Sequence, residues 1–395
     1  MKKSKGTITV IMQVTYDTLR STVLANLGID HTATGDLLKL YFTEDLVPES
    51  LARFFSQYDI ELLEFQNVWL LSKLATRLHY VGVPKEEFPR VKGIVKRFTV
   101  ENGRHFCVVP YVLDAFNRAD VAVMLLNGTA MKVFYEPAET RYYNTLDFLV
   151  KSGDIDSAGR ILKKLDFRLQ GTYWGQRVYR KNEVSITIHS VYLRENLLTG
   201  DLADIWQHSS SITWQGKKVF VPCPEMMLLI LLVQGLEACS SCIGNNMANS
   251  FVNDFMDCKF FLTSGSIRWE TFIELAKKSE FTLHVRLLLD VLNQLYPGLA
   301  ADKVVDALPY NDKDVSNVQK LIAYNLARRK VTEARNRCNR VEYYYNGVAA
   351  LWNLNCFYGN RSSLFSNVMD FPQFIAMWNN HRGIKGLLSK VGGFK

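Results

Sequence analysis

The alternation of short apolar runs and helical segments after residue 111 constrains the fold more than any other feature of the sequence. The run Ala122 to Leu126 stops at the chain breaker Asn127-Gly128, and its length is typical of a strand. A short helix is predicted from Thr129 to Tyr135, and a second strand from Leu146 to Val150. Strands that alternate with helices indicate an α/β or α+β domain.

Helical periodicity dominates on both sides of this region. We therefore predict an α+β protein with a small mixed-sheet core at 111–225, a mainly helical region at 1–110 and a helical region at 226–395. Pro84, Pro89 and several glycines interrupt the pattern of the first region. Further predicted elements are helices within Gly35 to Ala75, Tyr111 to Asn117, Ser157 to Leu165, Trp269 to Lys278, Phe281 to Tyr296 and Val315 to Arg329, and strands at Phe167 to Leu169, Val178-Tyr179 and Ser185 to His189.

Apolar runs and cysteines bear on the compartment. The longest apolar run, Met226 to Val233, is far short of the roughly 20 residues that span a bilayer, so we predict a core helix and no membrane association. The seven cysteines are scattered and odd in number, which favours a reducing, cytoplasmic location. Cys239 and Cys242 form a CxxC without the second ligand pair of a zinc site, so we interpret them as two small residues at a helix end.

The chain is basic, with a net charge of +8, and part of this charge is clustered. Six arginine and lysine residues lie between Arg328 and Arg340. Such a run is typical of a solvated helix face, and it is also the composition of a surface that contacts phosphates. The segment is therefore interpreted as a solvated helix face, and a surface for a polyanionic partner is the alternative.

The most informative stretch, Leu125 to Val150, resembles the signature of an uncharacterised nucleotidyltransferase family in the polymerase-beta-like superfamily. In that family a strand ends in Leu-Lys-Gly, and here it ends in Leu126-Asn127-Gly128. A loop and an arginine follow in the family, matched by Tyr135-Glu136-Pro137 and Arg141. The next strand alternates acidic and apolar residues, and here it is Thr145 to Val150. The ordered similarity continues through Ile186 to His189 and spans roughly residues 35 to 300.

The resemblance implies a site for Mg²⁺ and a nucleoside triphosphate. In-line nucleotidyl transfer uses two Mg²⁺ ions held by carboxylates, and two carboxylates at i and i+2 of one strand face the same side. The glycine after the first strand, Gly128, lets the triphosphate approach the backbone, with Thr129 at the start of the following helix. Arg141 and His189 complete the residues that the resemblance assigns to the site.

The chain departs from this pattern at the metal positions. Asp147 holds the second carboxylate position and is the catalytic and metal-binding candidate, but Thr145 and Thr187 stand at the first and third. Asn127 replaces the lysine before the glycine. A threonine hydroxyl is a neutral, weak ligand that cannot balance two divalent cations. The sequence therefore predicts the loss of the two-metal mechanism.

Other carboxylates could in principle replace the missing ones. Asp154 and Asp156 have the i, i+2 spacing, but they precede a helix and are predicted to cap it. Glu183 lies before the start of a strand, and Glu136 and Glu139 lie in the loop near the site. His189 is more typically a structural histidine than a catalytic base.

Two functions remain open. The chain is predicted to be a catalytically degenerate nucleotidyltransferase-fold protein that binds a nucleotide, a peptide or a protein. The alternative is an active Mg²⁺-dependent enzyme that moves a nucleoside monophosphate from a nucleoside triphosphate to a small molecule, peptide or protein. Fold alone does not decide between them.

Overall fold

A computed structural model describes residues 15–27, 32–63, 65–135, 141–173, 176–190, 203–241, 250–279, 281–316 and 318–319. The chain divides into two compact units, the first formed by residues 1–91, 228–277 and 281–357, and the second by 92–227, 278–280 and 358–395. The second unit contains the sheet. Division of the sequence at residues 110 and 225 stays a prediction.

The helices of the described residues agree in type with most of those predicted. Met226 to Val233 lies in a helix and is almost wholly buried, as expected of a core helix. The main helices are α1 (Tyr16–Leu27), α2 (Ala33–Phe42), α3 (Pro48–Gln57), α4 (Phe65–Arg77), α5 (Phe88–Cys107), α6 (Val109–Arg118), α7 (Asn127–Phe134), α8 (Ile155–Lys164), α9 (Pro224–Ser241), α10 (Ser250–Thr263), α11 (Trp269–Lys278), α12 (Thr282–Leu295) and α13 (Asp302–Asp306). The helix predicted from Val315 is described only as far as residue 319.

The described residues form one mixed sheet of seven strands in the order β3-β4-β5-β2-β1-β7-β6. The strands are β1 (Val123–Leu125), β2 (Leu146–Val150), β3 (Arg168–Tyr173), β4 (Gln176–Lys181), β5 (Val184–His189), β6 (Ser209–Trp214) and β7 (Lys217–Pro222). β2 runs parallel to β5 and β1 parallel to β7, whereas the remaining pairs are antiparallel. This confirms the predicted α+β class with a mixed sheet.

One face of the sheet is apolar and packs on helices. Phe148 of β2 meets Phe116 of α6 edge-on, with ring centroids 6.3 Å apart. Tyr179 of β4 is buried with its hydroxyl against Gly159 of α8. Because side chains alternate along a strand, the residues next to Phe148 in β2 and next to Tyr179 in β4 face the other side of the sheet. That second side, called the site face below, contains Asp147.

The structure differs from the predicted secondary structure at α5 and at two strands. Helix α5 spans the region in which Pro89 was expected to interrupt the pattern, because Pro89 is the second residue of the helix. A proline in the first turn removes no intrahelical hydrogen bond. The strands β6 and β7 were not predicted; in β6, Ser209 to Ser211 lacks an apolar residue. Within the described residues, no helix has the length and apolar character needed to cross a membrane.

Candidate functional site

The register of β2 and β5 brings together the three positions that the resemblance assigns to metal ligands. Asp147 pairs directly with Thr187, so the two side chains share the site face. Thr145 lies two residues before Asp147 and therefore faces the same side. The spacing noted in the sequence is thus realised as one cluster, with the side chain of Thr187 supplied by the neighbouring strand as the resemblance implies.

The two threonines bind each other. Thr145 Oγ1 and Thr187 Oγ1 are 3.1 Å apart, and Thr145 Oγ1 also lies 3.5 Å from the carbonyl oxygen of Ser185. Thr187 is only 8% exposed, so its hydroxyl needs a protein partner. A hydroxyl pair thus occupies the two positions at which the resemblance predicts carboxylates.

Asp147 is held by hydrogen bonds in a buried setting. Its side chain is mostly covered, and its Oδ1 lies 3.0 Å from Nε2 of His189, which is 4% exposed. Its backbone N–H donates to Thr129 Oγ1 at 2.8 Å. The structure therefore joins Asp147, Thr129 and His189, three residues that the sequence analysis assigned to the site separately.

Arg141 lies directly against Gly128. A methyl group placed on Gly128 would overlap Arg141 Nη1 and would lie 2.9 Å from Cζ and 3.3 Å from Cδ1 of Tyr143. Gly128 is the second residue of α7, so the guanidinium stands beside the N-terminus of that helix. The approach that the resemblance reserves for a triphosphate is thus lined by a buried positive charge.

The position of Arg141 is fixed by residues that the sequence analysis missed. Asn102 of α5 donates from Nδ2 to the carbonyl oxygen of Arg141 at 2.6 Å and accepts from the backbone N–H of Tyr143 at 3.1 Å. The Arg141 guanidinium lies 5.5 Å from the centroid of the Tyr143 ring, which Phe106 packs against edge-on. The pairing of Asn102 with a loop about forty residues away leaves no signal in the sequence.

The neighbouring tyrosine shows how well this loop is covered. Burial raises the pKa of Tyr142, Glu101 raises it further, and Arg97 opposes both effects. Tyr142 also meets Phe98 of α5 edge-on, with ring centroids 5.2 Å apart. Residues 141 to 143 are thus packed against α5, which positions Arg141.

The described residues do not fit a pair of Mg²⁺ ions. Two such ions need several oxygen ligands with negative charge, and the cluster has one carboxylate, which is already bonded to His189. In the part of the chain that the structure describes, no three His, Cys, Asp or Glu side chains form a group able to hold a metal.

Among the described residues, the alternative carboxylates considered from the sequence do not supply these ligands. Asp154 was expected to cap α8, but its side chain makes no capping hydrogen bond, because Asp154 has helical backbone angles and already belongs to a preceding 3₁₀ turn. Asp156 instead pairs with Arg177 at 2.7 Å, and Glu183 pairs with Arg104.

Several predictions fall on residues that the structure does not describe. Glu136 and Glu139, Cys242 and the basic segment Arg328 to Arg340 lie outside the described residues.

Comparison with known proteins decides the family. A family model described as "uncharacterised nucleotidyltransferase" matches residues 69–297, more than half of the chain. The chain belongs to this nucleotidyltransferase family. The match covers the sheet, the site cluster and the helices α5 to α12, and it confirms the resemblance drawn from Leu125 to His189.

A solved structure gives a second similarity. It is described as the crystal structure of an antigenic nucleotidyltransferase-like protein from Paracoccidioides brasiliensis, is 14% identical, covers 51% of this chain and 91% of its own, and has a TM-score of 0.33. No curated protein matches the sequence.

Proposed function

We propose that this family member binds a nucleotide without performing two-metal nucleotidyl transfer. The observation on which the proposal depends is the hydrogen bond between Thr145 and Thr187. It replaces two metal carboxylates with a neutral pair, which leaves a net charge at the cluster too small for two divalent cations. The family fold persists around this change, as fold and activity are separable.

Nucleotide binding without metal needs another source of positive charge. Arg141 provides one at Gly128, beside the N-terminus of α7, where backbone N–H groups and the helix dipole also favour an anion. A planar guanidinium can bind phosphate oxygens in pairs. The phosphates are thus proposed to bind at Gly128, Thr129 and Arg141. A peptide or protein ligand on the same site remains the second class of partner.

An active enzyme is favoured by one observation, the pair formed by Asp147 and His189. A carboxylate that bonds an imidazole can orient it as a general base, and Asp147 faces the side where a metal would bind in this fold. In that alternative the chain moves a nucleoside monophosphate from a nucleoside triphosphate to a small molecule, peptide or protein, with Mg²⁺ as cofactor.

Thermal unfolding with a panel of nucleoside triphosphates separates the two functions. We expect at least one nucleotide to raise the melting temperature equally in EDTA and in Mg²⁺. Arg141→Gln should abolish this shift, whereas Arg160→Gln, an exposed arginine of α8, should leave it unchanged. A shift that requires Mg²⁺, together with nucleotide turnover that Asp147→Ala abolishes, would refute the proposal. No shift with any nucleotide would also refute it.

Restoring the carboxylates provides an independent test. In the double variant Thr145→Asp, Thr187→Glu, three carboxylates share one buried cluster and repel one another. We expect it to unfold at a lower temperature than the natural chain in EDTA and to recover with Mg²⁺. The control variant Ser210→Asp, Thr213→Glu adds the same charge at exposed positions of β6 and should not respond to Mg²⁺.

A further inference from the structure

The site face continues beyond the metal positions to the edge of the sheet. Continuing the register of β2 and β5 places Thr145 beside Ser185, whose carbonyl accepts from the threonine hydroxyl. Ser185 pairs with Arg180 of β4, and Arg180 pairs with Arg168 of β3. Residues paired directly across strands project from the same side of a sheet. A row thus runs across four strands, from Thr145 through Ser185 and Arg180 to Arg168.

The neighbours of Arg180 confirm the side on which it lies. Tyr179 and Lys181 both point to the opposite face, where the Tyr179 hydroxyl meets Gly159 and the Lys181 ammonium donates to the carbonyl of Leu165. Arg180 stands between them, so it projects from the site face. Both Arg180 and Arg168 are exposed.

These two arginines differ from the basic residues around them. Arg104, Arg177 and Lys181 each pair with a carboxylate, respectively Glu183, Asp156 and Asp166. Among the described residues, no carboxylate pairs with Arg168 or Arg180. Arg180 donates from Nε to the backbone carbonyl of Asn182, at 2.9 Å. Like charges placed directly opposite each other destabilise a strand pair, so folding gives no reason for this arrangement.

The row places a second anion-binding position across the cluster from Arg141. Arg141 lies against Gly128, next to β1, on one side of β2, whereas β4 and β3 lie on the other side. Strands are about 4.8 Å apart, so Arg180 and Arg168 stand roughly 10 and 14 Å from the β2 strand. A ligand that meets both positions has negative charges on both sides of Asp147, as a chain of phosphodiesters has.

We propose that Arg168 and Arg180 bind the phosphates of a single-stranded oligonucleotide whose terminal nucleotide occupies the Gly128 and Arg141 position. The inference rests on the proposed nucleotide site for that terminal residue alone. Serine, threonine and glutamine side chains along the face give hydrogen-bond partners without sequence selectivity. The net charge of +8 favours association with such a polyanion.

Fluorescence anisotropy with labelled single-stranded RNA and DNA of about 12 nucleotides, in EDTA, tests this inference. The double variant Arg168→Gln, Arg180→Gln should weaken binding roughly tenfold at moderate salt. Each phosphate contact on a single strand contributes about 0.7 to the slope of log K against log salt, so the slope should fall by about 1.4. Arg168→Lys, Arg180→Lys should retain most of the binding.

The matched control is Lys163→Gln, Lys164→Gln, which removes the same charge from exposed positions of α8, the helix that packs on the opposite face. It should bind oligonucleotides like the natural chain. Equal weakening in both double variants would overturn the inference, because the attraction would then be general. The inference would also be overturned if the protein bound duplex DNA or heparin but did not bind single-stranded oligonucleotides.

The mononucleotide shift distinguishes this inference from the proposed function. Arg168→Gln, Arg180→Gln should leave the nucleotide-induced melting shift intact, since neither residue contacts Gly128. If no mononucleotide binds but oligonucleotides bind through these two arginines, the proposed nucleotide site at Gly128 is refuted and the proposed phosphate contacts of Arg168 and Arg180 are supported. If mononucleotides bind while oligonucleotide affinity is insensitive to both arginines, the nucleotide site is supported and the phosphate contacts of Arg168 and Arg180 are refuted.

Discussion

Replacing Gly128 with alanine should expose how firmly Arg141 is held at the site. The new methyl group overlaps Arg141 Nη1 and is tight against Tyr143, so the guanidinium must move. It then loses its hydrogen bond to the carbonyl of Tyr142, at 3.2 Å, and its place over the Tyr143 ring, each of which contributes about 1 kcal/mol. Alanine in place of glycine in a helix regains at most about 1 kcal/mol. The net effect is a destabilisation of about 1 kcal/mol.

The control is Gly103→Ala in α5, where an added methyl group has no atom within 4 Å. That variant should be more stable by up to about 1 kcal/mol, since only the helix preference acts. The two alanine variants should therefore differ by about 2 kcal/mol, or roughly 4 to 8 °C in melting temperature for a unit of this size. Urea denaturation and thermal scans of both variants measure the difference.

A double-mutant cycle identifies the cause. In the background of Arg141→Gln the guanidinium is gone, so Gly128→Ala should approach the behaviour of Gly103→Ala, with a coupling of about 1 to 2 kcal/mol between positions 128 and 141. If Gly128→Ala is as stable as Gly103→Ala in the natural background, Arg141 does not rest against this glycine and the proposed phosphate position loses its basis.

Three further predictions concern Thr187 and Asp147 of the site cluster and His284 of the first unit. Thr187→Val should cost about 1 kcal/mol, since it removes the hydroxyl that Thr145 bonds, and urea denaturation measures this against Thr213→Val on exposed β6. Asp147→Asn should leave the metal-independent nucleotide shift unchanged; its loss would assign Asp147 a direct role in binding. Burial lowers the pKa of His284 from 6.5 to about 4. The unfolded chain therefore takes up a proton at a higher pH than the folded chain. As a result, the free energy of unfolding falls as the pH falls from 6.5 to 4. The loss between pH 7 and pH 5 is about 2 kcal/mol, and His284→Leu should remove it; an unchanged pH dependence in that variant would refute this account.

Much of the fold could be predicted from local patterns. The strand Leu146 to Val150 was predicted with the bounds that the structure gives, because it is short, apolar and closed by polar residues on both sides. β6 escaped prediction because its apolar residues are few, and pairing with β7 rather than its own composition makes it a strand. Helix α5 escaped because a proline was treated as a breaker regardless of its position in the first turn.

The candidate site, like the fold, could be predicted from the sequence only in part. The family resemblance assigned Gly128, Asp147 and His189 to the predicted site and marked Thr145 and Thr187 as departures from the family pattern. It could not show that the two threonines bond each other or that His189 bonds Asp147, since both pairs lie about forty residues apart and meet only through the β2–β5 register. The position of Arg141 against Gly128 depends on Asn102, which belongs to a helix far away in the chain.

The sequence by itself determined the α+β class, the family resemblance and the loss of two carboxylates, because residue type and spacing along one chain segment are local properties. The tertiary structure alone decided what stands in their place: a threonine pair, a carboxylate bonded to histidine and an arginine at the glycine. It also aligned Arg168 and Arg180 with the site face. Side chains alternate along a strand with a period of two residues, so a register shift of a single residue would turn those on the strands to the opposite face, and only the folded sheet fixes that choice.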